Sequence, residues 1–206
     1  MRRTQPTATD DRGQAHTVEA FIAALLLISG LLFAMQATAV TPLSASTSNQ
    51  HIENQQRAVA HDLLSTAAED GTLEEAVLYW NASGDEFQNS SEDGYYNSVG
   101  SENAFLESLN RTLAERRIAY NVELRYHVYN ENASQPEQGS IPMVRMGQPS
   151  NNAVTASRTV TVYNTDRLTG ENDCQLVDCA SFYAPNEDVD SQLYNRLEVR
   201  ITTWRM

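Results

Sequence analysis

The longest uninterrupted apolar pattern in the chain runs from Val18 to Val40, VEAFIAALLLISGLLFAMQATAV. Between Ala20 and Met35 it holds no charged residue, and only Ser29 and Gly30 break the apolar run. With its flanks it reaches the ~20 residues a helix needs to cross ~30 Å of hydrocarbon. A helix packed on a soluble core has a polar face, which this segment lacks. In a bilayer each backbone N–H and C=O must be satisfied within the segment, so the pattern predicts a helix.

The pattern then changes. Thr41-Pro42 is expected to end or kink the span, because proline lacks an N–H and clashes with the preceding turn. In residues 48–69, Ile52, Val59, Leu63 and Ala67 fall at helical spacing among Gln, Glu, Asp and Arg. Gly71 is placed to stop that helix. Stacked with only a kink, the two stretches make a rod of about 55 residues, roughly 80 Å at 1.5 Å per residue. A separate amphipathic helix explains the same spacing.

Leu73 to Trp80 fits either helix or strand, and 81–101 is a polar run that reads as a surface loop. From Glu102 to Ile118 the residues Phe105, Leu106, Leu109 and Leu113 form the apolar stripe of a further helix, a core feature. Three strands follow. Tyr120, Val122, Leu124, Tyr126 and Val128 alternate with Asn121, Glu123, Arg125 and His127. Val160 and Val162 give the inner face of a second strand, Thr159 to Tyr163. Leu193, Leu197, Val199 and Ile201 do so near the C-terminus, against Arg196, Glu198 and Arg200. The polar stretches 130–152 and 165–191 read as long, exposed connections.

The predicted class is α+β. A long N-terminal transmembrane and amphipathic helix, kinked near Pro42, carries a head of one or two helices packed on a small antiparallel sheet. In domain terms, 1–13 is a cytoplasmic leader open to cleavage, 14–41 a transmembrane or filament-core helix, 42–71 an amphipathic helix, and 72–206 an extracytoplasmic head.

Charge sharpens this picture. The net charge is −13, and all fourteen basic residues are Arg, with no Lys. An acidic surface without clustered basic residues argues against nucleic acid, whose phosphates demand them, and against docking on anionic lipid. The composition resembles that of proteins from extreme halophiles, in which carboxylates keep the surface hydrated in concentrated salt. Arg2, Arg3 and Arg12 precede the span, so the N-terminus is expected in the cytoplasm and the acidic bulk outside.

Candidate chemistry is sparse. Cys174 and Cys179 lie in NDCQLVDCASF; outside the membrane this pair is expected to close a small disulfide loop, with reduced thiols as the alternative. Zinc needs further ligands that no nearby His supplies. His16, His51, His61 and His127 are scattered, and no nucleophile elbow, phosphate loop or dinucleotide fingerprint occurs, so neither an enzyme nor a cofactor is expected. The run Glu187-Asp188-Val189-Asp190 lacks the ligand spacing and turn glycine of a calcium loop and reads as a solvated acidic loop. Asn81, Asn89, Asn110 and Asn132 open Asn-x-Ser/Thr triplets; Asn81, Asn89 and Asn132 fall in predicted loops and are the candidate glycan sites.

The apolar segment itself admits three readings: a removable secretory signal, a plain anchor, or the packing helix of a filament subunit. A signal has an apolar region of ~7–15 residues and a cleavage site behind it; here the run is longer and its most suggestive site lies in front. That site is Asp11-Arg12-Gly13-Gln14. Glu19 places a carboxylate at the start of the apolar run, where charge is costly and points to a partner, or else to favourable placement in the first helical turn.

Arg12-Gly13 before a polar tetrapeptide and a long apolar run resembles the processing site of archaeal type IV prepilins, the class III signal peptides. The string GQAHTVEA followed by TAVTPLSAST looks closest to haloarchaeal pilin-like membrane proteins. The resemblance covers about 45 residues and implies that a prepilin peptidase cuts on the cytoplasmic side while the apolar helix stays on the product. Gly13 is then the last leader residue, Arg12 the charge before it and Gln14 the new N-terminus. Glu19 resembles the acidic residue that pairs with a neighbouring subunit's N-terminus in many pilins. A cut after Gly13 makes Glu19 the sixth mature residue, and a cut after Gln14 makes it the fifth, as in the bacterial pattern.

The expectation is a pilin-like surface subunit, with the bilayer, a prepilin peptidase and related pilin-like subunits as partners. The alternative is a single-pass anchored extracellular binding or accessory module of a secretion or surface machine.

Overall fold

The computed structural model describes residues 10–97, 103–129, 137–170 and 173–205, with side chains described from residue 16 onward except at 36–49. The chain divides into two compact units, Met1–Gln50 and His51–Met206. The long helix α1, Asp10–Glu69, contributes to both. The expected end or kink at Thr41-Pro42 is not shown; the helix runs through it. Proline's fixed φ is compatible with a helix, so its cost is one lost hydrogen bond and local crowding rather than mandatory termination.

α1 stops where anticipated. Gly71 adopts φ 83°, a conformation that costs glycine nothing because it has no Cβ. The Asp70 carboxylate accepts hydrogen bonds from the Thr72 N–H at 3.0 Å and the Thr72 hydroxyl at 2.6 Å, which hold its pKa below the usual carboxylate value. The chain thereby turns into α2, Thr72–Val77, which seats Leu73, Ala76 and Val77 in the core. It then enters β1, Trp80–Asn81, so the ambiguous 73–80 stretch is helix first and strand last.

The polar run 81–101 is more than a surface loop. β1 pairs with β2, Glu86–Phe87, and Trp80 meets Phe87 edge-on with ring centroids 5.1 Å apart. Tyr96 bridges to Val144 and is buried. Isolated aromatics spaced this widely have no period, so only tertiary contact reveals them as core.

Helix α3, Ala104–Thr112, is capped by Asn103, whose side-chain oxygen accepts from the Leu106 N–H at 2.9 Å. Its stripe Phe105, Leu106 and Leu109, with Leu113 just beyond, is at most 1% exposed, as a core stripe must be. A 3-10 turn over Ala114–Arg116 follows.

Four strands form an antiparallel sheet: β3 Ile118–Val128, β4 Glu137–Arg145, β5 Val154–Tyr163 and β6 Leu193–Arg205, in the order β4-β3-β6-β5. The alternations read from sequence hold at Tyr120, Val122, Leu124, Val160, Val162, Leu197, Val199 and Ile201, all buried. The same core takes in Ala60, Leu63, Leu64 and Ala67 from the second half of α1, and Arg158 on β5 reaches the Ser65 hydroxyl at 3.4 Å. On the outer face the register sets Glu123 opposite Arg200 and Arg125 opposite Glu198, a charge checkerboard that a one-residue slip destroys.

β4 lies inside the stretch expected to be a loop. Its sequence does not alternate cleanly, because Gly139 and Pro142 interrupt it. As an edge strand it tolerates a proline, and a register shift between Val122 and Glu123 absorbs the extra residue. Gly139 faces Tyr126, whose ring occupies the space a Cβ needs. The 165–191 connection is likewise no simple exposed loop: Leu168, Leu176 and Ala184 are at most 2% exposed.

Candidate functional site

Within α1 the segment His16–Met35 is 20 residues long, has a mean hydropathy of 2.3, and has no residue buried inside the chain. Leu25, Leu26, Leu27 and Ile28 occupy consecutive positions about 100° apart, so the apolar surface girdles the helix. The one polar side chain deep in the run, Ser29, donates to the Leu25 carbonyl at 2.7 Å and so satisfies itself locally. The segment is long and apolar enough to cross a membrane.

Glu19 stands at the entrance of this girdle. Its Oε2 lies 3.7 Å from His16 Nδ1 one turn earlier, and both side chains are more than four-fifths exposed. Beyond His16, no described cation lies within ion-pair distance of this carboxylate. Arg12, Gly13 and Gln14 have helical backbone, but their side chains lie outside the described residues.

In the head, Cys174 and Cys179 are joined by a disulfide. The loop they close is seated by Leu176, whose N–H donates to the Asp166 carbonyl at 2.8 Å, and by Leu168, whose N–H donates to the Cys174 carbonyl at 2.9 Å. Arg167 pairs with Asp173 beside the bridge, raising the guanidinium pKa and lowering that of the carboxylate. The disulfide loop is thus a clasp on the domain edge.

Two of the three candidate glycan positions lie among the described residues. Asn81 is half-buried, and its side-chain oxygen accepts from the N–H groups of Ser83 and Gly84, shaping the β1–β2 turn. Asn89 is exposed, has φ 56°, and donates through Nδ2 to the Tyr79 hydroxyl at 3.0 Å. Asn132 lies outside the described residues.

No group of three or more His, Cys, Asp or Glu able to hold a metal occurs among the described residues. Burial displaces other pKa values in the head. Tyr183 is enclosed at its hydroxyl end and donates to the Val77 carbonyl at 3.0 Å; burial, with Tyr126 nearby, pushes its phenol well above the usual value. Burial and then Asp166 raise the Glu74 carboxyl.

The family model described as a family of unknown function (DUF7288) matches residues 12–203. The chain belongs to the DUF7288 family. The match takes in both the apolar segment and nearly all of the head. Neither a curated protein nor a solved structure matches the chain.

Two features escaped the sequence reading. One is the aromatic cluster of Trp80, Phe87, Tyr96, Tyr126, Phe182 and Tyr183, assembled from four separate stretches. The other is a cleft where Arg116 and Arg117 meet Arg205. The Arg116-Arg117 pair is its only local signal, and the chain brings Arg205 alongside only through the pairing of Ile118 with Arg205.

Proposed function

We propose that this DUF7288 protein is a type IV pilin-like surface subunit, held in the membrane by α1 and packed through it against related subunits. The observation that carries the reading is the exposed apolar girdle. Eleven large apolar side chains between Val18 and Met35 are 49–75% exposed, and covering them is worth on the order of 10 kcal/mol. Lipid before assembly and neighbouring helices after it supply that cover.

The family match includes the helix together with the head, as a protein that keeps its helix requires. Glu19, exposed at the mouth of the girdle, suits pairing with the free amino group of an adjacent subunit. Arg2, Arg3 and Arg12 put the N-terminus in the cytoplasm, within reach of a prepilin peptidase, and leave the acidic head outside. A bend at Pro42, where one helical bond is lost, belongs to the same proposal.

The test is the mass of the mature N-terminus from native membranes. A chain beginning at Gln14 or Ala15 and retaining the apolar segment supports processing as a pilin. A chain beginning at Met1, or cut behind the segment, overturns it. Shearing the cells separates the subunit from the accessory-module alternative: a filament subunit leaves with the sheared material, whereas an accessory anchor stays with the membrane. Glu19→Gln is expected to abolish recovery in the sheared fraction while leaving membrane insertion intact.

A further inference from the structure

The arginine cleft of the head, about 370 Å³ in volume, has an unusual lining for so acidic a chain. Arg116, Arg117 and Arg205 edge it, and no carboxylate is among its lining residues. None of these three arginines forms an ion pair with a described residue, whereas Arg125, Arg167, Arg196 and Arg200 each pair with a carboxylate. With 27 acidic residues against 14 basic ones, a shortage of partners does not explain the unpaired cluster.

Gln55 and Gln56 also line the cleft and bring amide donors and acceptors to it. Beside these polar groups the lining is apolar, supplied by Ile52, Val59 and Ile118. The site therefore suits an anionic group carried next to a small apolar one.

The head carries such an element itself. Val189 is 80% exposed, more than any large apolar side chain of the membrane segment, where the maximum is 75%. It stands between Asp188 and Asp190, both exposed and neither ion-paired with a described residue. The turn is fixed: the Asp188 carboxylate accepts from the Asp190 N–H at 3.0 Å, and the Asp188 carbonyl from the Ser191 N–H at 3.2 Å.

This turn precedes β6, and Arg205 ends it. Thirteen residues of strand, at about 3.3 Å each, hold the two roughly 40 Å apart. A copy cannot place its own turn in its own cleft. A contact between different patches at opposite ends of a molecule is head-to-tail, the kind that propagates into rings or filaments.

We propose that the cleft of one copy receives the Asp188-Val189-Asp190 turn of a second copy. Val189 packs on Ile52, Val59 and Ile118, and the two carboxylates meet Arg116, Arg117 and Arg205 in charge-assisted hydrogen bonds. This contact deepens the subunit reading and rests on it only in that copies must meet.

The test places a photo-crosslinking amino acid at position 189 of the full chain in membranes containing isotopically light and heavy copies. Mixed-isotope cross-links from 189 to peptides spanning 52–59 or 112–118 are expected. They fall several-fold in a chain carrying Arg116→Glu and Arg117→Glu, and return when Asp188→Arg and Asp190→Arg are added. Recovery by the swap shows that the first variant folds. Cross-links confined to one copy, to lipid or to other peptides overturn the proposal, as does indifference to the charge reversal. The N-terminal mass of the same sample reports on processing separately: a chain that keeps Met1 yet gives the cross-link overturns the pilin reading and leaves this contact standing.

Discussion

Asn195 ties the sheet of the head to the long connection before it. It is 0% exposed, in β6, near the point where backbone pairing between β3 and β6 stops at Arg125 and Glu198. There its side chain takes over. Oδ1 accepts from the His127 N–H at 3.1 Å, and Nδ2 donates to the His127 carbonyl and the Pro185 carbonyl, each at 2.8 Å. The amide thus mimics one more peptide group of the ladder and ties the long connection to the sheet.

Asn195→Leu keeps the size and removes all three bonds, leaving one N–H and two carbonyls without partners. At about 1 kcal/mol per bond, plus the penalty for unmet buried groups, the expected loss is about 3–5 kcal/mol. With a urea slope near 2 kcal/mol/M, the midpoint falls by about 2 M. Trp80 and Trp204 are both in the head and at most 6% exposed, so tryptophan fluorescence of the full chain in detergent micelles reads this unit alone. Asn195→Asp adds a check on sign. Its carboxylate faces two carbonyls, so the folded form favours the neutral acid and the pKa rises on folding. Stability is then greatest below the unfolded value near ~4 and is lost as pH rises through the folded value. The variant is thus expected to be less destabilised at low pH than at neutral pH, relative to wild type. A midpoint shift below about 0.5 M for Asn195→Leu refutes the reasoning.

Removing the disulfide with a paired Cys174→Ala and Cys179→Ala change takes away two half-buried sulfurs at the edge of the core. The bridge closes a loop with sequence separation 5, for which chain entropy predicts a cost of about 2 kcal/mol. Leu168 and Leu176 keep the loop seated, so a lower urea midpoint with an intact fluorescence transition is expected; complete unfolding contradicts this. Glu198 has its pKa lowered chiefly by a hydrogen bond from Ser157, then by Arg200 and Arg125, against the opposing effect of burial. A depressed folded pKa gives stability that is present above the ordinary value of 4.5 and is lost as pH falls through the folded one. Glu198→Gln is therefore expected to flatten the acid limb of a plot of urea midpoint against pH, and an unchanged slope counts against that assignment.

The sequence by itself determined the elements whose patterns are local and unbroken. The apolar girdle needs no partner to be recognised, since twenty residues without a polar face have one stable conformation in a membrane. The stripe of α3 and the alternations of β3, β5 and β6 were legible because each repeats over one element that buries one face. Gly71 and the cysteine pair were legible for the same reason, as local geometry suffices for both.

Tertiary structure decided the rest. β4 is a strand because β3 offers it an edge and the Tyr126 ring shelters Gly139, not because its own residues alternate. Asn195 looks like any polar strand residue until the ladder beside it ends. Arg205 joins Arg116 and Arg117 only because the antiparallel register brings the last residues of β6 beside the first of β3. A periodic pattern records which face of an element is wet. It carries no record of which distant residues share a neighbourhood, because that depends on pairing between strands that any single stretch of sequence leaves open.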